Sequence, residues 1–193
     1  MTVDVRAVLA EAGAWLEGHF LLHSGRHSDQ FIQMAQAFQY PETVGELCEA
    51  LAAKLKPYGA RVVLGPAIGG ILMAHEVARA LGVRALYTEK HEGVHRLGRG
   101  FRLEPGEPVA VVDDVSTTGD SVRQAMVAAR EAGGTVVATG LIADRSGGAV
   151  SFDVPFVSLA TVTMNTWEAA DCPLCAKGVP LTDPDTRKPV EKT

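Results

Sequence analysis

The amino-acid sequence predicts an α/β protein with a central parallel sheet flanked by helices, and three observations predict it. Short runs of nearly continuous apolar residues recur at 61–64, 84–88, 108–113, 135–143 and 156–161. Segments with apolar residues at helical spacing stand between most of them. The chain is 193 residues long and 47% hydrophobic, enough to bury one sizeable core. Strands without polar alternation are buried on both faces, as in a parallel sheet covered by helices.

The elements follow in order. Val5, Val8, Leu9 and Ala12 lie at i, i+3, i+4 and i+7, so 3–13 is a short amphipathic helix closed by Gly13. Residues 18–39 mix polar and apolar positions and read as a loop with short extended pieces. A second helix, 41–56, carries Val44, Leu47, Cys48, Leu51 and Leu55 on one face. Pro41 suits its first turn, and Pro57-Tyr58-Gly59 ends it. After the strand at 61–64 come Gly65-Pro66, a helix over 70–81 closed by Gly82, and the strand at 84–88. Residues 89–108 contain Gly93, Gly98 and Gly100 among several His and Arg, which predicts a lid loop reaching for an anion. The helix at 120–132 puts Val122, Met126 and Ala129 on one face. The tail from Asp171 is rich in Pro, Asp, Thr and Lys and is expected to be irregular. The chain reads as one domain, 1–193, to which 1–40 adds a small hood.

Charge and composition exclude some classes. A net charge of −5 argues against a general nucleic-acid binder, which needs a basic face for phosphate. The uncharged runs are too short for a membrane span, and the first residues lack an apolar signal core, so a cytoplasmic protein is expected. Three cysteines make no disulfide framework, and Cys48 sits within a helical apolar pattern as a core thiol.

The most informative segment is Val109-Ala110-Val111-Val112-Asp113-Asp114-Val115-Ser116-Thr117-Thr118-Gly119-Asp120-Ser121. A buried strand ends in two adjacent carboxylates, and a loop of small residues then enters a helix. Such a loop offers N–H groups and hydroxyls to a phosphate, and the helix N-terminus adds partial positive charge. Paired carboxylates accept hydrogen bonds from two neighbouring hydroxyls, as on a ribose. The alternative is a solvated Asp pair followed by an ordinary helix cap.

This string resembles the phosphoribosyl-pyrophosphate signature of the type I phosphoribosyltransferases. Within that group the chain resembles the orotate phosphoribosyltransferases. Phe20-Leu21-Leu22-His23-Ser24-Gly25-Arg26-His27-Ser28 with Phe31-Ile32-Gln33 is similar to the family's N-terminal Ser-Gly-Arg segment. Gly65-Pro66-Ala67-Ile68-Gly69-Gly70-Ile71 is similar to its pyrophosphate-side loop, and Leu141-Ile142-Ala143-Asp144-Arg145 to the strand end carrying its orotate-binding Arg. The lysine-poor lid and the Cys-Pro-Leu-Cys tail look most like the Thermus-type branch. The resemblance implies the type I phosphoribosyltransferase fold with a hood and a mobile lid. It implies transfer of ribose 5-phosphate from phosphoribosyl pyrophosphate (PRPP) to orotate, with Mg²⁺, in a cytoplasmic homodimer that binds neither membrane nor nucleic acid. Asp113 and Asp114 would hold the ribose hydroxyls, and the loop from Val115 through Ser116, Thr117, Thr118, Gly119 and Asp120 to Ser121 would cradle the 5′-phosphate. Thr117 and Arg145 would contact orotate, and Lys90 would serve from the lid. No residue is assigned as a metal ligand.

The sequence departs from the family pattern in three places. His23 stands where many members have Lys, Ile68-Gly69-Gly70 lacks a loop Lys, and the lid holds Lys90 alone among His91, His95, Arg96, Arg99 and Arg102. Two metal-like patterns are set aside. His91-Glu92-Gly93-Val94-His95 matches H-E-x-x-H, but that pattern needs a stable helix and Gly93 lies inside it. Cys172-Pro173-Leu174-Cys175 offers two ligands, but no second such pair and no nearby His completes a tetrahedron, so a turn with reduced thiols is expected, with a zinc site shared between subunits as the alternative. A phosphoribosyltransferase for a purine or uracil, and a PRPP-sensing regulator on the same fold, remain as other functions.

Overall fold

The computed structural model describes residues 3–190. The chain begins with α1 (Val5–Glu11), whose first turn is capped by Asp4: its Oδ1 accepts the Ala7 N–H at 3.1 Å. The hairpin β1 (Trp15–Leu21) and β2 (His27–Ile32) follows, then α2 (Met34–Phe38) and α3 (Pro41–Leu55). The main sheet is laid down by β3 (Val62–Pro66), α4 (Gly69–Leu81), β4 (Arg84–His91), β5 (Val94–Leu97), β6 (Pro108–Ser116), α5 (Asp120–Glu131), β7 (Thr135–Asp144) and β8 (Phe156–Thr161). Last come β9 (Thr166–Trp167) and the single turn α6 (Pro173–Ala176).

The six-stranded sheet has the order β5-β4-β3-β6-β7-β8, parallel throughout except for β5 at the edge. Its central strands alternate between two cores. Val63, Val112, Ala138 and Ile142 face one side and pack with Leu47, Leu51 and Leu55 of α3 and Met73 and Val77 of α4. Val62, Leu64, Val109, Val111 and Leu141 face the other and pack with Val122, Met126 and Ala129 of α5 and with Leu103. Burial on both faces is the reason these runs lack polar alternation.

The chain leaves β3 through α4 toward β4 on one side, and leaves β6 through α5 toward β7 on the other. The crevice between the carboxyl ends of β3 and β6 is therefore the topological switch point, where open α/β sheets bind ligands.

Two expectations need correction. The stretch 18–39 is no loop. It forms most of the β1–β2 hairpin and α2, and β2 pairs with β9 in a three-stranded antiparallel sheet. A register shift between Glu17 and Phe20 breaks the period-two pattern that would have marked β1. The lid segment also begins as a hairpin. β5 pairs antiparallel to β4, which extends the latter to His91. Glu92 and Gly93, at φ 51° and 83°, make the tight turn that this pairing requires. Beyond β5 a loop carries Leu103 back into the core. The tail is mostly irregular, as expected, but it is docked: the Thr182 N–H donates to the His19 carbonyl (2.8 Å), and the Leu21 N–H to the Thr182 carbonyl (3.0 Å).

Candidate active site

The apolar run of β6 drives the strand into the core, so the residues at its end inherit burial. Asp113 is only 8% exposed, and Asp114 is half-buried beside it. The Asp113 Oδ1 accepts the Asp114 N–H at 3.0 Å, and the Asp114 Oδ1 accepts the Val115 N–H at 2.6 Å. Burial pushes the Asp113 carboxyl well above the ordinary Asp range, and the Asp114 charge adds to this. Burial likewise pushes Asp114 up to about 6, opposed by its bond from the Val115 N–H. Placing two carboxyls side by side is costly unless a proton or a ligand offsets their charge.

The facing wall is the loop from β3 to α4. A Cβ on Gly69 would lie 2.3 Å from the Asp114 Oδ2, and one on Gly70 would lie 2.6 Å from the Pro66 ring. One on Gly65 would meet the Gly70 carbonyl oxygen at 1.8 Å. These three positions need glycine because backbone and carboxylate approach too closely for any side chain.

Below the carboxylates the chain turns into α5. Ser116 Oγ accepts the Gly119 N–H at 2.8 Å, and Thr118 Oγ1 donates to Asp120 Oδ2 at 2.8 Å. Gly119 adopts φ 81°, which lets the loop meet the helix. Arg123 ties it down through the carbonyls of Thr118 (2.5 Å) and Ser151 (3.1 Å). Thr117 stays exposed at the mouth.

On the other side of the cleft stands Arg145, just past β7. Its N–H donates to the Ser116 carbonyl at 2.8 Å, and its guanidinium lies over the Phe31 ring at 5.7 Å. The Arg145 Nε is buried and has no hydrogen-bond partner. Burial holds its pKa below the ordinary value. Neighbouring Asp144 does not neutralise it, because the Asp144 Oδ1 accepts the Ser146 N–H at 2.8 Å. Among the described residues, no carboxylate forms an ion pair with Arg145. A cleft of about 310 Å³ lies between these walls, lined by Gln33, Phe38, Gly69, Asp114, Thr117 and Arg145 among others. An anionic planar ligand would find there one half-buried guanidinium with no ion pair among the described residues.

The structure thus brings Asp114, Thr117 and Arg145 to one cleft, with Asp113 and the Ser116–Ser121 loop adjoining. It does not bring Lys90 there. Lys90 is exposed on β4, opposite His95, and does not line the cleft. Arg99 is held by Glu89 through two 2.7 Å bonds, so it is not a free cation awaiting phosphate. His91 and His95 lie on opposite strands of the hairpin, and the buried His95 Nδ1 meets Thr88 Oγ1 at 3.1 Å. The helix that an H-E-x-x-H metal site needs is not formed. Cys48 is a core thiol, as expected, pushed up to about 12 mainly by burial.

Sequence reasoning gave no role to Phe31 and Gln33, although both lie in the quoted N-terminal segment. It also erred on Cys172 and Cys175. The expectation that no histidine lies near them fails, because the β1–β2 hairpin carries His19 and His27 to within 3.4 and 3.3 Å of the Cys172 and Cys175 sulfurs. The chain separation of about 150 residues hid this, and the bulge in β1 left His19 without a pattern.

Comparison with known proteins agrees with the geometry. The phosphoribosyl transferase domain model matches residues 39–176. An orotate phosphoribosyltransferase of Pelotomaculum thermopropionicum is 48% identical over 185 residues, 96% of this chain and 97% of its own length. That of Thermotoga maritima is 45% identical over 95% of this chain and 98% of its own length. The crystal structure of the orotate phosphoribosyltransferase from Aeropyrum pernix superposes with a TM-score of 0.67 at 30% identity, covering 82% of this chain and 93% of that one. With the carboxylate pair at the switch point and a match running through both cores, the chain belongs to the phosphoribosyltransferase family, in its orotate phosphoribosyltransferase branch.

Proposed function

We propose that this cleft transfers ribose 5-phosphate from PRPP to orotate, releasing pyrophosphate and giving orotidine 5′-monophosphate, a step in making pyrimidine nucleotides. The observation that carries the reading is the pairing of two walls across one cleft. Asp114, with the buried Asp113 behind it, stands on one wall, and Arg145, whose Nε has no hydrogen-bond partner, on the other.

Each group has a task that its chemistry fits. Asp113 and Asp114 accept hydrogen bonds from the two ribose hydroxyls. As the C1′–O bond breaks, positive charge grows on the ribose, and carboxylates fixed nearby favour that state. Ser116, Thr117, Thr118 and Ser121, with the backbone of Val115, Gly119 and Asp120, hold the 5′-phosphate at the start of α5. Arg145 meets the orotate carboxylate with its planar fork, Phe31 supports the guanidinium, and Thr117 adds a hydroxyl. Gly69 of the β3–α4 loop lines the cleft against Asp114 and presents backbone, not a side chain, to the pyrophosphate side. The donors here are carboxylates and hydroxyls, the oxygen set that Mg²⁺ prefers. Bound through Asp113 and Asp114 together with PRPP oxygens, Mg²⁺ would offset charge on the departing pyrophosphate.

Lys90 lies away from the cleft of its own chain. The reading therefore makes the protein a homodimer in which the β4–β5 hairpin brings Lys90 to the partner's site. The enzyme acts in the cytoplasm on small molecules, without nucleic acid or membrane. Its acidic net charge and reduced cysteines support that placement.

The test offers purified protein, Mg²⁺ and PRPP a panel of orotate, uracil, adenine and hypoxanthine, and follows pyrophosphate release. Release with orotate alone is expected. Release with a purine or uracil alone, or with no base, would overturn the reading. Asp114→Asn keeps a near-isosteric side chain and is expected to fold, yet to lose ~10²-fold or more in kcat/KM, about 2.7 kcal/mol. Wild-type kcat/KM in the folded variant would remove Asp114 from the mechanism. Arg145→Ala is expected to raise the KM for orotate far more than that for PRPP. Truncating a buried charge partner costs ~2–5 kcal/mol. Equal changes for both substrates would make Arg145 structural.

A further inference from the structure

The hood and the tail meet at a second cluster of reactive side chains. His19 comes from the bulge of β1, His27 from the start of β2, and Cys172 and Cys175 from the turn around α6. One ligand atom from each lies within 4.8 Å of all the others. The His19 Nε2 is 3.0 Å from the His27 Nδ1, 3.4 Å from the Cys172 Sγ and 3.8 Å from the Cys175 Sγ. The Cys175 Sγ is 3.3 Å from the His27 Nδ1. With Zn–N near 2.05 Å and Zn–S near 2.3 Å, tetrahedral edges are about 3.4 Å between nitrogens and about 3.6 Å between nitrogen and sulfur. The observed spacings bracket those edges.

The orientation of His19 supplies a second, independent observation. Its other nitrogen, Nδ1, lies 2.9 Å from the Val179 carbonyl and can only donate there. With Nδ1–H committed to that carbonyl, Nε2 is the ring nitrogen aimed into the cluster, and in a neutral ring it carries the lone pair a metal would use. One lone pair cannot serve three neighbours at 3.0–3.8 Å as hydrogen bonds. A cation at the centre would use it, and a backbone carbonyl holding the outer N–H is the usual support of a metal-ligating histidine. His19 is 2% exposed, and His27 and Cys172 are also buried.

We propose that His19, His27, Cys172 and Cys175 bind one structural Zn²⁺ that locks the C-terminal tail onto the β1–β2 hairpin. Binding releases the two thiol protons, so two thiolates, two neutral imidazoles and Zn²⁺ make a centre of zero net charge, suited to burial. All four positions are filled by protein, which makes the site structural rather than catalytic. Its place in the fold gives it a purpose. The strand β2 that carries His27 continues to Phe31, beside Arg145, and leads directly to Gln33 at the cleft. The tail it fastens also carries Thr182, which pairs with the backbone of His19 and Leu21.

The test uses the whole chain and measures metal directly. Protein purified with zinc in the medium and dialysed against metal-free buffer is analysed for metal content. About one zinc per chain is expected. The same protein stripped and reloaded with Co²⁺ should show the visible absorption of tetrahedral cobalt and a near-ultraviolet thiolate-to-cobalt band. Cys175→Ser changes the one exposed member of the set. It should retain at least about tenfold less zinc while remaining folded by circular dichroism. His91→Ala, on the lid hairpin, should retain the full equivalent. Wild-type protein that holds no zinc after loading, cobalt without the thiolate band, or zinc that follows His91 rather than Cys175 would each overturn the proposal.

Discussion

The constraint on which this structure depends is the burial of two adjacent carboxyls at the end of β6. Apolar residues from Val109 to Val112 pull the strand into the middle of the sheet, and Asp113 and Asp114 follow it. Their burial is tolerable only because the surroundings are shaped around them. Gly65, Gly69 and Gly70 let the β3–α4 backbone approach to within side-chain distance. The N–H groups of Asp114 and Val115 point at the carboxylate oxygens. What these groups leave uncompensated raises both carboxyls, and a cation or a pair of ribose hydroxyls would supply the remainder.

The same logic extends across the cleft. Arg145, half-buried with its Nε enclosed, also has no ion pair among the described residues, on the opposite wall. Carboxyls whose ionisation is opposed by burial stand on one side of the cleft, and a guanidinium without an ion pair among the described residues stands on the other. The sheet supplies rigidity: the backbone N–H of Arg145 donates to the Ser116 carbonyl, so the loop after β6 and Arg145 are tied to each other. The β1–β2 hairpin brings Phe31 beneath the Arg145 guanidinium, Gln33 just after it lines the cleft, and Thr182 of the tail bonds the hairpin backbone at His19 and Leu21.

Much of this was legible in the sequence, and the physical reasons are local. The parallel strands announce themselves because burial on both faces leaves no polar alternation, as at Val62–Leu64 and Val109–Val112. The Asp113–Ser121 string is legible because strand end, small-residue loop and helix start are contiguous. The hood was not legible. The β1–β2 hairpin buries two histidines where a core strand would show apolar residues, and a bulge interrupts its period. Its polar interior makes sense only beside Cys172 and Cys175, which the sequence places at the other end of the chain. The lid hairpin was missed because β5 is only four residues long and its turn uses Glu92-Gly93 rather than a stronger turn pair.

The central claim is that the carboxyl pair stays protonated to an unusual pH until a ligand charges it. The most direct measurement is a ¹³C NMR titration of the aspartate side-chain carboxyls in the protein without ligands, repeated with Mg²⁺ and PRPP. In the free protein, Asp114 is expected to titrate near 6, with Asp113 also well above the ordinary range. Both should fall on binding, since an opposite charge and new hydrogen bonds favour the ionised forms. Asparagine at position 114 should remove the signal near 6. If every aspartate of the free protein titrated at or below its ordinary pKa, the account of a carboxylate pair held in wait for its ligand would be contradicted.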